Sequence, residues 1–155
     1  MSEHSFCIEE EADTLALSAR IAAACEGGEL LILEGELGAG KTFFAGGFCR
    51  ALGHDPEEPV VSPTFGLVIA YDTVPPIEHA DLYRLTRGEE VRELGLVERR
   101  DAGAILLVEW GERFRRELGD DALLLSFSSR PRLVRLRASG PTSRALLERL
   151  KREAG

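Results

Sequence analysis

The stretch Leu30-Leu31-Ile32-Leu33-Glu34-Gly35-Glu36-Leu37-Gly38-Ala39-Gly40-Lys41-Thr42 decides how the rest of the chain is read. Its first four residues are wholly apolar, the pattern of a strand buried on both faces of a parallel sheet. Its last eight satisfy G-x-x-x-x-G-K-[ST] in full, and the residues after them predict a helix to about Leu52, closed by Gly53. Gly38 and Gly40 permit positive φ and close backbone approach, so that successive N–H groups turn inward on a phosphate. The positive end of the following helix points at the same oxygens. Lys41 is a compact ammonium that bridges β- and γ-phosphates, where a planar guanidinium would not fit. The Thr42 hydroxyl is suited to Mg²⁺. Glu36, Leu37, Gly38, Ala39, Gly40, Lys41, Thr42 and Phe43 are therefore the expected nucleotide-binding residues.

Working outward, residues 5–9 read as a short edge strand and 13–25 as a helix ended by Gly27-Gly28. A loop marked by Pro56, Pro59 and Pro63 leads to a strand at 65–71. The Pro75-Pro76 turn and a strand at 77–83 make a hairpin with it. Residues 88–95 are expected to be helical. Ala104 to Val108 is a second fully apolar strand, followed by a charged helix at 111–118. Strands near 122–128 and 132–138 form a second hairpin, and an amphipathic helix spans about 142–152. The order predicts one α/β domain over residues 1–155: a phosphate-loop fold with a mixed parallel and antiparallel central sheet flanked by helices.

Composition narrows the chemistry. The 155 residues are 44% hydrophobic and 30% charged, enough for a core and not the balance of a disordered chain. There is no Asn and no Gln, and only two of the nineteen basic residues are Lys. No Asn is present to ligate a metal and no Gln to orient a water, and the Asn-Lys-x-Asp signature that reads guanine is impossible, which favours ATP. The formal charge is −8, and residues 1–129 are more acidic still, because 130–155 carry a basic excess. A body of that sign repels phosphate backbones, so autonomous nucleic-acid binding is not expected. The basic end reads as a solvated helix. Cys7, Cys25 and Cys49 lack the spacing of a disulfide or zinc framework, and Cys25 and Cys49 read as buried free thiols. An acidic N-terminal segment and the lack of a long apolar run give the expectation of a cytoplasmic, soluble protein.

A phosphate site needs a carboxylate on the metal side. Glu109 directly follows the apolar strand, the position of a Walker B acid, and would hold Mg²⁺ through a water or activate the attacking water. Its structural alternative is a carboxylate at the start of the 111–118 helix. Asp81 lies in Ile77–Arg84, where alternation sets His79, Asp81 and Tyr83 on one face; its alternative is a bridge to Arg84 or a loop cap. Trp110, the only Trp, reads as core, or as a wall of the site beside Glu109. Thr64, in Ser62-Pro63-Thr64-Phe65, is a second hydroxyl able to sense a γ-phosphate.

Four blocks thus stand in order: GELGAGKT at 35–42, SPTF at 62–65, HADLYRL at 79–85 and EWGER at 109–113, with ELGL at 93–96 between. The set resembles the bacterial TsaE (YjeE) family, the ATPase component of the machinery that makes threonylcarbamoyladenosine beside the tRNA anticodon. The resemblance implies ATP and Mg²⁺ as cofactors, Thr42 and Glu109 on the magnesium side, and Asp81 as an essential acid of the nucleotide site, with Lys41 at the phosphates. It adds Arg132 as a nucleotide contact and sets the adenine near Thr14. It implies TsaD and TsaB as partners, with tRNA met indirectly through their complex. Gly66, Ala80 and Gly111 depart from the family's usual Thr, aromatic and Pro.

Three functions compete on these residues. One is a slowly hydrolysing ATPase serving that tRNA-modifying complex. Another is a small-molecule kinase, for which Arg113, Arg115 and Arg116 could imitate a lid. The third is a nucleotide-gated binding module without useful hydrolysis.

Overall fold

The computed structural model describes residues 2–35, 40–63 and 67–154. Seven strands form one sheet in the order β1-β7-β6-β2-β5-β4-β3. They are β1 (Ser2–Cys7), β2 (Leu30–Gly35), β3 (Val68–Tyr71), β4 (Ile77–Asp81), β5 (Ile105–Glu109), β6 (Leu123–Ser129) and β7 (Arg132–Ala138). The four central strands β6, β2, β5 and β4 run parallel. The β3–β4 and β6–β7 hairpins and the β1–β7 pair are antiparallel, so the sheet is mixed as expected.

The helices are α1 (Glu11–Ala24), α2 (Lys41–Ala51), α3 (Gly88–Glu93), α4 (Leu96–Asp101), α5 (Arg115–Leu118) and α6 (Pro141–Ala154). Because β2 is apolar at every buried position, it faces two cores. Leu31 and Leu33 join Leu17 and Ile21 of α1, Phe44 and Phe48 of α2, and Leu146, Leu147 and Leu150 of α6. Leu30 and Ile32 face the other way, with Val91, Leu96, Phe114 and Leu118 from the segment holding α3 to α5. The α1–α2–α6 layer is the one that delivers the start of α2 to the end of β2.

Four local expectations are corrected. The 88–95 helix stops at Glu93, and an unexpected α4 begins after Gly95, whose φ of 72° breaks the run. The charged 111–118 segment is a 3-10 turn over Glu112–Phe114 followed by a single α-turn. Phe114, at φ −116° and ψ 30°, interrupts the helix as its ring goes into the core. Strand β4 ends at Asp81, so Tyr83 lies beyond the ladder rather than on its face. Helix α1 starts two residues earlier than the pattern predicted, because Asp13 accepts the backbone N–H groups of Glu9 and Glu10. Cys25 and Cys49 are buried free thiols; burial pushes Cys49 up to about 12 and raises Cys25 as well.

Candidate functional site

The parallel ladders decide which side chains meet. Leu33 of β2 is level with Glu109 of β5, and Glu109 is level with Asp81 of β4. The ends of three adjacent strands therefore bring Glu109 and Asp81 to the same edge of the sheet as the β2–α2 junction. Parallel α/β sheets bind their ligands at this carboxyl edge.

Helix α2 starts at Lys41 after Gly40, whose φ of 102° is a left-handed conformation that a side chain would strain. The first-turn N–H groups of a helix have no intrahelical carbonyl to bond, so this start is a natural anion cradle. Lys41 is buried, donates to the Gly35 carbonyl at 2.9 Å and holds its Nζ 4.8 Å from the centre of the Trp110 ring. Thr42 and Phe43 are exposed on the first turn. Glu36, Leu37, Gly38, Ala39 and Thr64 lie outside the described residues.

Glu109 and Asp81 are both buried, but their surroundings differ. Glu109 Oε2 is 2.9 Å from Nε2 of His79, a ring with no exposure, so its partner is a histidine and not a helix terminus. Asp81 accepts from the Ser62 hydroxyl at 3.1 Å through Oδ2 and from the Tyr83 N–H at 3.0 Å through Oδ1. Its own N–H donates to Leu67. Asp81 thereby ties both ends of the 62–67 segment to the end of β4, the loop-organising role weighed for it above.

Trp110 is a wall and not core: it is 41% exposed, at φ 60°, and its ring lies 5.0 Å from that of Tyr83. The next residue explains how the chain can turn there. A Cβ at Gly111 would come within 2.8 Å of Val108 and 3.2 Å of Leu118, so a glycine lets the turn settle onto the sheet. Trp110, Tyr83, Lys41, Glu34, Glu112 and Arg113 are among the residues lining a cavity of about 460 Å³. A second cavity, of about 300 Å³, has Gly40 in its lining. Arg132, Thr14, Glu11, Phe43 and Phe127 line it, so the expected nucleotide contacts Arg132 and Phe43 meet there although they are remote in sequence.

Thr42 and Glu109 are oxygen donors, the class a hard ion such as Mg²⁺ takes, and one or two such protein groups are what Mg²⁺ usually uses beside phosphate and water. These donors fit the ion. His79 is the residue that sequence reasoning noted without a role. Its signal was alternation with Asp81, but its partner is 30 residues away and emerges only from the β4–β5 register.

The model of the family described as threonylcarbamoyl adenosine biosynthesis protein TsaE matches residues 8–135. The chain is similar to the tRNA threonylcarbamoyladenosine biosynthesis protein TsaE of Bacillus subtilis, with 39% identity over 112 residues, 72% of this chain and 68% of that one. It is 34% identical to the Treponema pallidum protein of the same name over 121 residues, 77% of this chain and 88% of that one. The Streptomyces coelicolor protein of that name is 40% identical over 114 residues, covering 70% and 74%. In three dimensions the chain resembles the crystal structure of Bacillus subtilis YdiB, with a TM-score of 0.83 and 29% identity, covering 99% of this chain and 97% of that one. The stretch matched by the family model runs through every block from the glycine-rich loop to the end of β5, and on that ground the chain belongs to the TsaE family.

Proposed function

We propose that this protein binds ATP with Mg²⁺ and hydrolyses it slowly, in support of the complex that forms threonylcarbamoyladenosine beside the tRNA anticodon. The observation that carries the reading is the meeting of Lys41 and Thr42 at the start of α2 with Glu109 at the end of the adjacent parallel strand. Family membership supplies the biological setting.

In this reading Lys41 leaves the Gly35 carbonyl to neutralise β- and γ-phosphate oxygens, assisted by the first-turn N–H groups of α2. Thr42, and Glu109 through a water, would hold Mg²⁺, which would supply charge neutralisation at the phosphates. Glu109 orients the attacking water and accepts its proton; without Gln in the chain, a carboxylate must take that task. Asp81 has each oxygen in a hydrogen bond with the protein, so it serves by fixing Ser62 and the turn at Tyr83 beside the site. The adenine lies toward Arg132, Phe43 and Thr14, which line the second cavity. TsaD and TsaB are the proposed protein partners, and tRNA is met through their complex. The setting of that work is the cytoplasm; no helix among the described residues is long and apolar enough to cross a membrane.

The kinase reading is weakened by what its arginines do. Arg113 donates to the carbonyls of Leu82, Tyr83 and Leu85, and Arg115 to those of Gly119 and Asp120. Such ties hold the two side chains in structural roles.

The test is multiple-turnover threonylcarbamoyladenosine formation with purified TsaD and TsaB. Omitting this protein, or supplying Lys41→Ala, should leave only a single round of product. Undiminished turnover without it would sink the reading.

A further inference from the structure

His79 is fully buried, belongs to none of the roles assigned so far, and makes a hydrogen bond whose other end is Glu109. We propose that His79 is the positioning residue of Glu109, holding one carboxylate oxygen so that the other is presented in a fixed direction to the reacting water. The inference rests on the ATPase reading above and concerns how its proton acceptor is oriented.

Geometry carries it. In the β4–β5 ladder Asp81 is level with Glu109, while His79 is level with Leu107, two residues further back. All four point to the α1–α2 side of the sheet by alternation. The imidazole therefore reaches forward along the strand to Glu109 Oε2, at 2.9 Å. A glutamate is a long side chain with a freely rotating terminal plane, and one directed bond from a rigid ring removes much of that freedom. The neighbouring acid does not supply a substitute, because Asp81 is bonded to Ser62 and Tyr83.

The other ring nitrogen identifies the tautomer. His79 Nδ1 is buried and has no hydrogen-bond partner among the described residues. A buried N–H without an acceptor is costlier and rarer than a bare acceptor without a donor. The arrangement is satisfied when Nε2 carries the proton and donates to the carboxylate, leaving Nδ1 as a bare lone pair. His79 is then a one-directional clamp with no second bond to divert it. A residue that only filled the sheet would do so better as a leucine, which carries no polar atom of its own to leave unpaired.

The experiment compares His79→Leu, which removes the donor, with His79→Gln, whose amide N–H can occupy the place of Nε2–H. Both are made in the full chain and, in parallel, in a Glu109→Ala background. ATP affinity is measured by calorimetry, kcat and KM by steady-state hydrolysis, and folding by thermal unfolding. Loss of an outer-shell partner of this kind typically costs about 10- to 100-fold. We expect His79→Leu to lower kcat by about that factor, with KM for ATP changed less than about twofold, and His79→Gln to recover most of the loss. In the Glu109→Ala background neither substitution should lower the residual rate further. Equal fold losses in both backgrounds, or a His79→Leu protein that is folded and turns over like wild type, would overturn the proposal. If His79→Leu fails to fold, His79→Gln decides: a folded His79→Gln protein that has lost the full Glu109-dependent rate also overturns it. A wild-type chain that neither binds nor hydrolyses ATP would instead bring down the functional reading, and this inference with it.

Discussion

At the scale of single residues, two substitutions separate binding from chemistry. Glu109→Gln keeps the shape of the side chain and a bond to His79 but removes the basic oxygen. It should lower kcat for ATP hydrolysis by about 10²- to 10⁴-fold with ATP affinity largely kept, as read by single-turnover kinetics beside calorimetry. Gly40→Ala acts through the backbone. Among the described residues a Cβ there meets nothing within 4 Å, so the penalty argued is that of the left-handed φ of 102°. That conformation costs an L-residue about 1–2 kcal/mol, which should appear as lower thermal stability or as a shifted α2 start with weaker nucleotide binding. At this scale the places of Lys41, Thr42, Glu109 and Asp81 in the fold were legible, because each is marked by a local pattern: a motif, an apolar strand followed by an acid, or an alternating strand. His79 and the aromatic wall of Trp110 and Tyr83 were not, because their roles depend on neighbours in other strands and on a positive φ at Trp110.

At the scale of elements, the last helix offers a clean electrostatic test. Asp121, in the segment before β6, receives the N–H groups of Thr142 and Ser143 and the Ser143 hydroxyl at 2.7–2.9 Å. It caps α6 from 21 residues away. Burial alone would raise its carboxyl, but these hydrogen bonds outweigh burial and hold it below its ordinary 3.8. A carboxyl lowered on folding adds stability that is complete above its unfolded value and disappears as pH falls through the folded one. Asp121→Ala should therefore cost about 1 kcal/mol at neutral pH. The gap to wild type should close as the pH is taken below about 4, measured by urea titration at several pH values. The strands were read well because apolar runs and proline-marked turns delimit them. The 88–118 region was read less well: one expected helix stops before Gly95, an unexpected one begins after it, and the demand to bury Phe114 reduces another to single turns. Both are tertiary choices that override a plausible local period.

At the scale of the molecule, the proposed ligand site is assembled by the fold as a whole. The β2–α2 junction, the end of β4 and the end of β5 come from separate parts of the chain and meet at one edge of the sheet. A ligand that binds only this assembled edge stabilises the native state by about 2.7 kcal/mol at a concentration 100 times its Kd. Mg·ATP should raise the unfolding midpoint of wild type and of Glu109→Gln alike, and leave Lys41→Ala nearly unmoved, as followed by calorimetric scanning. The layer plan behind this was legible from strand and helix order. The pairing of β1 with β7, which places the first strand beside the last hairpin, was not, since nothing local in Ser2–Cys7 specifies a partner some 130 residues later.

The bond between Lys41 and the Gly35 carbonyl, under the face of Trp110, bears on selectivity. The ammonium is not a bare charge waiting for a counter-ion. It already has an oxygen dipole on one side and a π-cloud on the other, so an incoming anion must displace them before it gains anything. A dilute monovalent ion offers too little in exchange, whereas a polyphosphate tail presents several charged oxygens to the lysine and to the helix start together. On the proposed reading this arrangement would set a threshold, filtering anions by charge density at the start of α2.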